Sequence, residues 1–145
     1  MRARLCPQVE TLPVTRGPGR REESIILHMD IQRQKKLAEA LNHILRVLTT
    51  QYQPDRVILF GSMANIQVGE WSDLDLAIIK DTSLPFVQRL EEVALLCRAN
   101  VGVDYLVYTP QEFEQMIAER NPFVVNEIVR KGKVLYERQP AQAMA

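Results

Sequence analysis

The sequence predicts a small α/β or α+β domain, a short sheet covered by helices. Three observations carry that reading: helical apolar spacing before residue 50, compact β-branched runs after it, and a return to helical spacing between the second and third runs. At 145 residues and 46% hydrophobic composition, the chain has material for one core. From Ile31 to Thr50, the residues Leu37, Ala38, Leu41, Ile44, Leu45 and Leu48 recur at three- and four-residue steps among polar side chains, the pattern of an amphipathic helix. Pro54 and Asp55 break it. Arg56-Val57-Ile58-Leu59-Phe60 is a β-branched and aromatic run that reads as a buried strand ending at Gly61. Residues 62–66 fit a short helix or tight turn, and a polar loop from Gln67 to Ser72 precedes a second strand over Asp73 to Ile79. Leu84 to Ala99 is helical in spacing, with Phe86 or Val87, Leu90, Val93, Ala94 and Cys97 on one face, and Val103 to Tyr108 makes a third strand. Thr109-Pro110-Gln111-Glu112 has the hydroxyl, proline and carboxylate of a capping box, which starts a helix running to about Glu119. Asn121-Pro122 repeats the start signal and Gly132 stops that helix, leaving Val134-Leu135-Tyr136 as an edge strand.

The charges narrow the function. Lys+Arg 18 balances Asp+Glu 18, so no chain-wide positive field holds nucleic acid, and strong nucleic-acid binding is not expected. No apolar run approaches the roughly 20 residues that span a bilayer, and the basic start is not followed by the apolar stretch of a secretion signal. Cys6 and Cys97 cannot make a disulfide framework or a four-cysteine zinc site, so a cytoplasmic setting with no membrane partner is the expectation. The charge is unevenly spread: residues 1–28 hold Arg2, Arg4, Arg16, Arg20 and Arg21 against Glu10, Glu22 and Glu23, and residues 29–145 hold 13 basic and 15 acidic side chains. With its prolines and glycines and no periodic apolar pattern, the stretch 1–28 is expected to be a disordered basic extension, with Met29 as the natural start. Residues 29–138 then form the folded domain and 139–145 a loose tail.

The chemistry is expected where the first two strands meet their loops. Gly61-Ser62 ends the first strand, and Asp73-x-Asp75 opens the second after a gap of ten residues. Strand alternation puts Asp73 and Asp75 on one face, with Leu74 and Leu76 on the other. Two adjacent carboxylates repel unless a partner neutralises them, and a hard divalent cation such as Mg²⁺ takes oxygen ligands and can bridge the two. Asp104 stands near the start of the third strand among apolar residues, and it completes a carboxylate triad if that strand lies beside the second.

Gly61-Ser62, the ten-residue gap, Asp73-x-Asp75 with its apolar continuation and the later strand-borne Asp104 resemble the motif of the polymerase-beta nucleotidyltransferase superfamily, particularly its minimal nucleotidyltransferase (MNT) branch. The resemblance runs from about residue 30 to about residue 138. It implies a small mixed sheet in a polymerase-palm arrangement flanked by helices, ATP as donor and two Mg²⁺ ions. Gly61 and Ser62 are then expected to hold the donor's β- and γ-phosphates, since glycine lets backbone approach phosphate and a following turn aims free N–H groups at it. Asp73 and Asp75 are expected to hold the metal ions, and Asp104 to bind metal on the acceptor side and help take the acceptor hydroxyl's proton. One departure stands out: Asn65-Ile66 occupies the place where this family commonly has Arg-Gly, replacing a charge by an amide.

Small members of this family resemble antitoxins that pair with a helical HEPN ribonuclease toxin and silence it by transferring AMP to a tyrosine hydroxyl. The favoured expectation is therefore a protein adenylyltransferase antitoxin. Transfer to an aminoglycoside-like small molecule is a second expectation, and toxin masking without catalysis a third. Lys80, Arg89 and Arg98 are weighed as phosphate contacts against solvated surface charge. His28 and His43 are read as structural or exposed, Cys97 as core, and Trp71 as either a base-stacking or a packing residue.

Overall fold

The computed structural model describes residues 20–61 and 74–139, with side chains described at His28 and from Ile31 onward. The chain divides into two units, residues 1–36 and 37–145. The described part of the first unit is helical, and the second contains the sheet. Helix α1 spans Arg20–Val47 and runs on as a π-wound turn, Leu48–Tyr52, which Gln53 closes in the left-handed region at φ 57° by donating its N–H to the Leu48 carbonyl. The start at Arg20 falls inside the stretch 1–28 that composition marked as a disordered extension, of which residues 1–19 lie outside the described residues. Arginine and glutamate, which fill positions 20 to 23, are good helix formers. No described helix is long and apolar enough to cross a membrane.

Four strands follow: β1 (Arg56–Phe60), β2 (Leu74–Ile79), β3 (Val103–Tyr108) and β4 (Lys133–Glu137). Their order across the sheet is β3-β2-β1-β4, so β4 is an edge strand, as its short run predicts. β1 pairs antiparallel with both β2 and β4, and β2 pairs parallel with β3. The sheet is mixed. A parallel pair needs a crossover, and helix α2 (Phe86–Cys97) supplies it. Helix α3 (Pro110–Ala118) and a π-wound segment, Phe123–Arg130, close the described fold.

Both faces of the sheet are covered. On the first, Val57, Leu59, Leu74, Leu76, Ile78 and Val107 pack with Leu37, Ile44 and Leu48 of α1 and its turn and with Val93 and Cys97 of α2. The second face packs Ile58, Phe60, Ala77 and Ile79 against Phe113 of α3 and Val124 and Ile128 of the π-wound segment. Alternation along β1 and β2 sorts the residues between these two cores. The predicted capping box forms: Thr109 Oγ1 accepts from the Glu112 N–H at 3.1 Å, and Glu112 Oε1 accepts from the Thr109 N–H at 3.0 Å. Asn121 Oδ1 accepts from the Val124 N–H, and the Gly132 N–H closes the segment on the Ile128 carbonyl, as the start and stop signals predict.

The buried face of α2 is rotated from the one its apolar spacing predicts. Val93 and Cys97 are buried and Leu90 partly so, whereas Phe86, Val87 and Ala94 are exposed and Arg89 is buried. Burying a guanidinium requires that its donors be satisfied. Arg89 Nη1 and Nη2 grip the Glu112 carboxylate at 2.8 and 3.1 Å, Nη1 also donates to the Val107 carbonyl, and Nε donates to the Leu84 carbonyl. One side chain thus ties α2 to β3 and to the first turn of α3. The hydrogen bonds from Arg89 hold the Glu112 carboxyl below its ordinary range.

Arg89→Ala is expected to cost about 2–4 kcal/mol, because it orphans the buried Val107 carbonyl, the part-buried Leu84 carbonyl and the partner carboxylate. A depressed carboxyl pKa stabilises the fold above its ordinary value of 4.5 and loses that contribution as pH falls through the folded-state value. The gap between parent and variant in denaturant unfolding should therefore be full at neutral pH and shrink in acid.

Candidate active site

β1 delivers its last residue, Phe60, opposite Asp75 of β2, and the parallel register sets Asp75 directly beside Asp104 of β3. Residues paired in register project to the same side of a sheet, so Phe60, Asp75 and Asp104 share the second face with Ala77 and Ile79. Neighbouring strands lie about 4.8 Å apart, which puts the two carboxylates side by side. Asp75 is half-buried and Asp104 exposed. A strand face that is apolar over most of its length therefore ends in two acids at the edge of the helical cover.

Gly61 follows at once and turns the chain with φ +79°, the left-handed region that glycine enters without steric cost. The turn is pressed against Asp75. A Cβ on Gly61 would overlap the carboxylate, lying 2.9 Å from its Cγ. The backbone of the bend and the Asp75 carboxyl group can be this close only because position 61 has no side chain.

Of the expected site residues, Gly61, Asp75 and Asp104 are brought together at one end of the sheet. Ser62 and Asp73 lie outside the described residues, as do Asn65, Ile66 and Trp71. No three His, Cys, Asp or Glu side chains gather among the described residues. The donor set that is described nonetheless suits a hard divalent cation: two carboxylates in register, one of them open to solvent.

The basic residues weighed as phosphate contacts lie elsewhere. Arg89 is neither a phosphate contact nor solvated, being consumed by Glu112 and two carbonyls. Lys80 donates its Nζ to the Tyr52 carbonyl at 2.6 Å and lies over the Tyr52 ring. Arg98 closes α2 in the left-handed region, is exposed, and donates Nε to the Leu95 carbonyl. His43 is structural, its Nε2 bonded to the Cys97 carbonyl at 2.9 Å, and Cys97 is core, its thiol pKa raised by burial. A feature the sequence did not advertise is Phe123, whose ring meets Phe60 edge to face with centroids 5.7 Å apart.

A model of the polymerase beta nucleotidyltransferase family matches residues 42–141. The chain belongs to that family. Among solved structures it is similar to a candidate nucleotidyltransferase from Sulfolobus solfataricus, with 19% identity and a TM-score of 0.52 over 84% of this chain and 92% of that one. That likeness is one of fold. Among curated proteins, none matches the chain.

Gly61→Ala is expected to cost about 1–2 kcal/mol from the left-handed backbone alone, and more if the Asp75 carboxylate cannot move aside. Urea unfolding of the variant measures it. A loss below about 0.5 kcal/mol, the size of an ordinary surface change, would show that the bend is not held as described.

Proposed function

We propose that this chain is a magnesium-dependent nucleotidyltransferase that moves AMP from ATP to a hydroxyl on a protein partner, an antitoxin of the HEPN/MNT type acting on a tyrosine of a ribonuclease toxin. The observation that carries the metal-dependent part is the in-register pair Asp75 and Asp104 beside the Gly61 bend. The protein acceptor rests on the resemblance to small antitoxins.

In this reading Asp73, Asp75 and Asp104 hold the metal ions, and Gly61 with Ser62 receives the β- and γ-phosphates. Magnesium bound there would neutralise phosphate charge and ease loss of the acceptor's proton. The absence of a side chain at Gly61 keeps the phosphate-binding bend close against Asp75. Asp104, more exposed than Asp75, faces the acceptor and takes the hydroxyl proton as the new oxygen–phosphorus bond forms at the α-phosphorus. The bond from that phosphorus to the bridging oxygen breaks, and pyrophosphate leaves. Asp104 then returns its proton to solvent.

The test combines the purified chain, its partner toxin, α-labelled ATP and Mg²⁺. Label is expected on a partner tyrosine, and chelation of the metal is expected to abolish it. Asp75→Asn and Asp104→Asn should each lower the rate at least about 10²-fold while leaving far-UV circular dichroism unchanged, since each removes a metal ligand and no buried apolar contact. Toxin suppression that survives in both variants, with no label in the parent, would mean masking in place of catalysis.

A further inference from the structure

We infer that the exposed side of Phe123 is the surface on which the base of the nucleoside triphosphate stacks. The inference rests on the nucleotidyl-transfer reading and adds one substrate contact to that same site. Phe60 is the residue paired with Asp75 and the one immediately before the Gly61 bend, and its ring is buried on the face that carries both carboxylates. Phe123 packs on it edge to face, at an interplanar angle of 87°, so the two rings do not stack and Phe60 can cover at most one face of Phe123.

The position of Phe123 is set from behind as well. Asn121 and Pro122 begin its segment, and Val124 and Ile128 anchor that segment in the core at 1% and 0% exposure. Phe123 itself remains 43% exposed. A half-open aromatic ring held by a neighbouring ring and by an anchored backbone is cheap to stack upon, because little freedom is lost when a flat partner arrives. It stands one side chain beyond Phe60, at the end of the sheet where the phosphates are placed against Gly61. A base is joined to its phosphates through a single ribose, and a triphosphate seated at Gly61 brings its base to such a neighbour. Phenylalanine has no hydrogen-bonding group, so the contact reads the flat face of a base and not its edge.

The experiment is calorimetric titration of the full chain with ATP, GTP and inorganic tripolyphosphate in the presence of Mg²⁺, for the parent, Phe123→Leu and Phe123→Tyr. Leucine keeps apolar bulk against Phe60 and removes the ring. Phe123→Leu is expected to weaken ATP and GTP alike by about ten- to hundredfold and to leave tripolyphosphate unchanged, with Phe123→Tyr close to the parent. Parent-like ATP binding by Phe123→Leu overturns the assignment. So does an equal loss of tripolyphosphate, which would mark a general disturbance of the site. A parent that binds neither ATP nor tripolyphosphate overturns the transfer reading itself, and a parent that binds both separates the two questions.

Discussion

Everything at the candidate site depends on register. A β-strand alternates its side chains with a period of two, so a slip of one residue in either pairing of β2 would send Asp75 to the first face, among Leu59 and Val107, or leave Asp104 opposite a leucine. The apolar residues forbid that slip. Leu74, Leu76 and Ile78 must all enter the first core together, and once they do, Asp75, Ala77 and Ile79 have no choice of side. The carboxylates are thus aimed by the burial of their neighbours. The energy that positions them comes from leucines and isoleucines on the opposite face.

The same economy explains how charge is used near the core. Arg89 is surrounded by acceptors from three elements, and Lys80 is held over Tyr52, so two of the basic residues nearest the sheet are structural fasteners. Burial raises the Tyr52 phenol to about 12, which keeps it neutral beneath the ammonium group. Acidic groups stand at one end of the sheet while these two basic side chains are committed away from it. Such a division favours a site whose countercharge arrives from solution with the substrate.

Most of the fold could be read from the chain because its signals are local. The β-branched runs at Val57 to Phe60 and Val103 to Tyr108, the capping box at Thr109 and the stop at Gly132 each need only a few neighbouring residues, and each is where the pattern puts it. The nearness of Gly61, Asp75 and Asp104 was also legible, since a glycine bend and alternation on a strand leave little freedom. What could not be read depends on partners distant in sequence. A charged residue at position 89 is invisible to apolar spacing, and only Glu112, placed by a different helix, makes its burial tolerable. Phe123 likewise acquires its position from Phe60, across the fold. The early start of α1 at Arg20 was missed for a different reason, because arginine and glutamate support a helix without supplying an apolar stripe.

The parallel pairing of β2 with β3 has a consequence in time as well as in space. A hairpin can close on two residues, but parallel neighbours must wait for the whole intervening crossover, here residues 80–102 with α2 inside it. During synthesis the chain therefore emerges with one acid of the pair in hand and the other still to come. Until the crossover docks, the two negative groups are strangers.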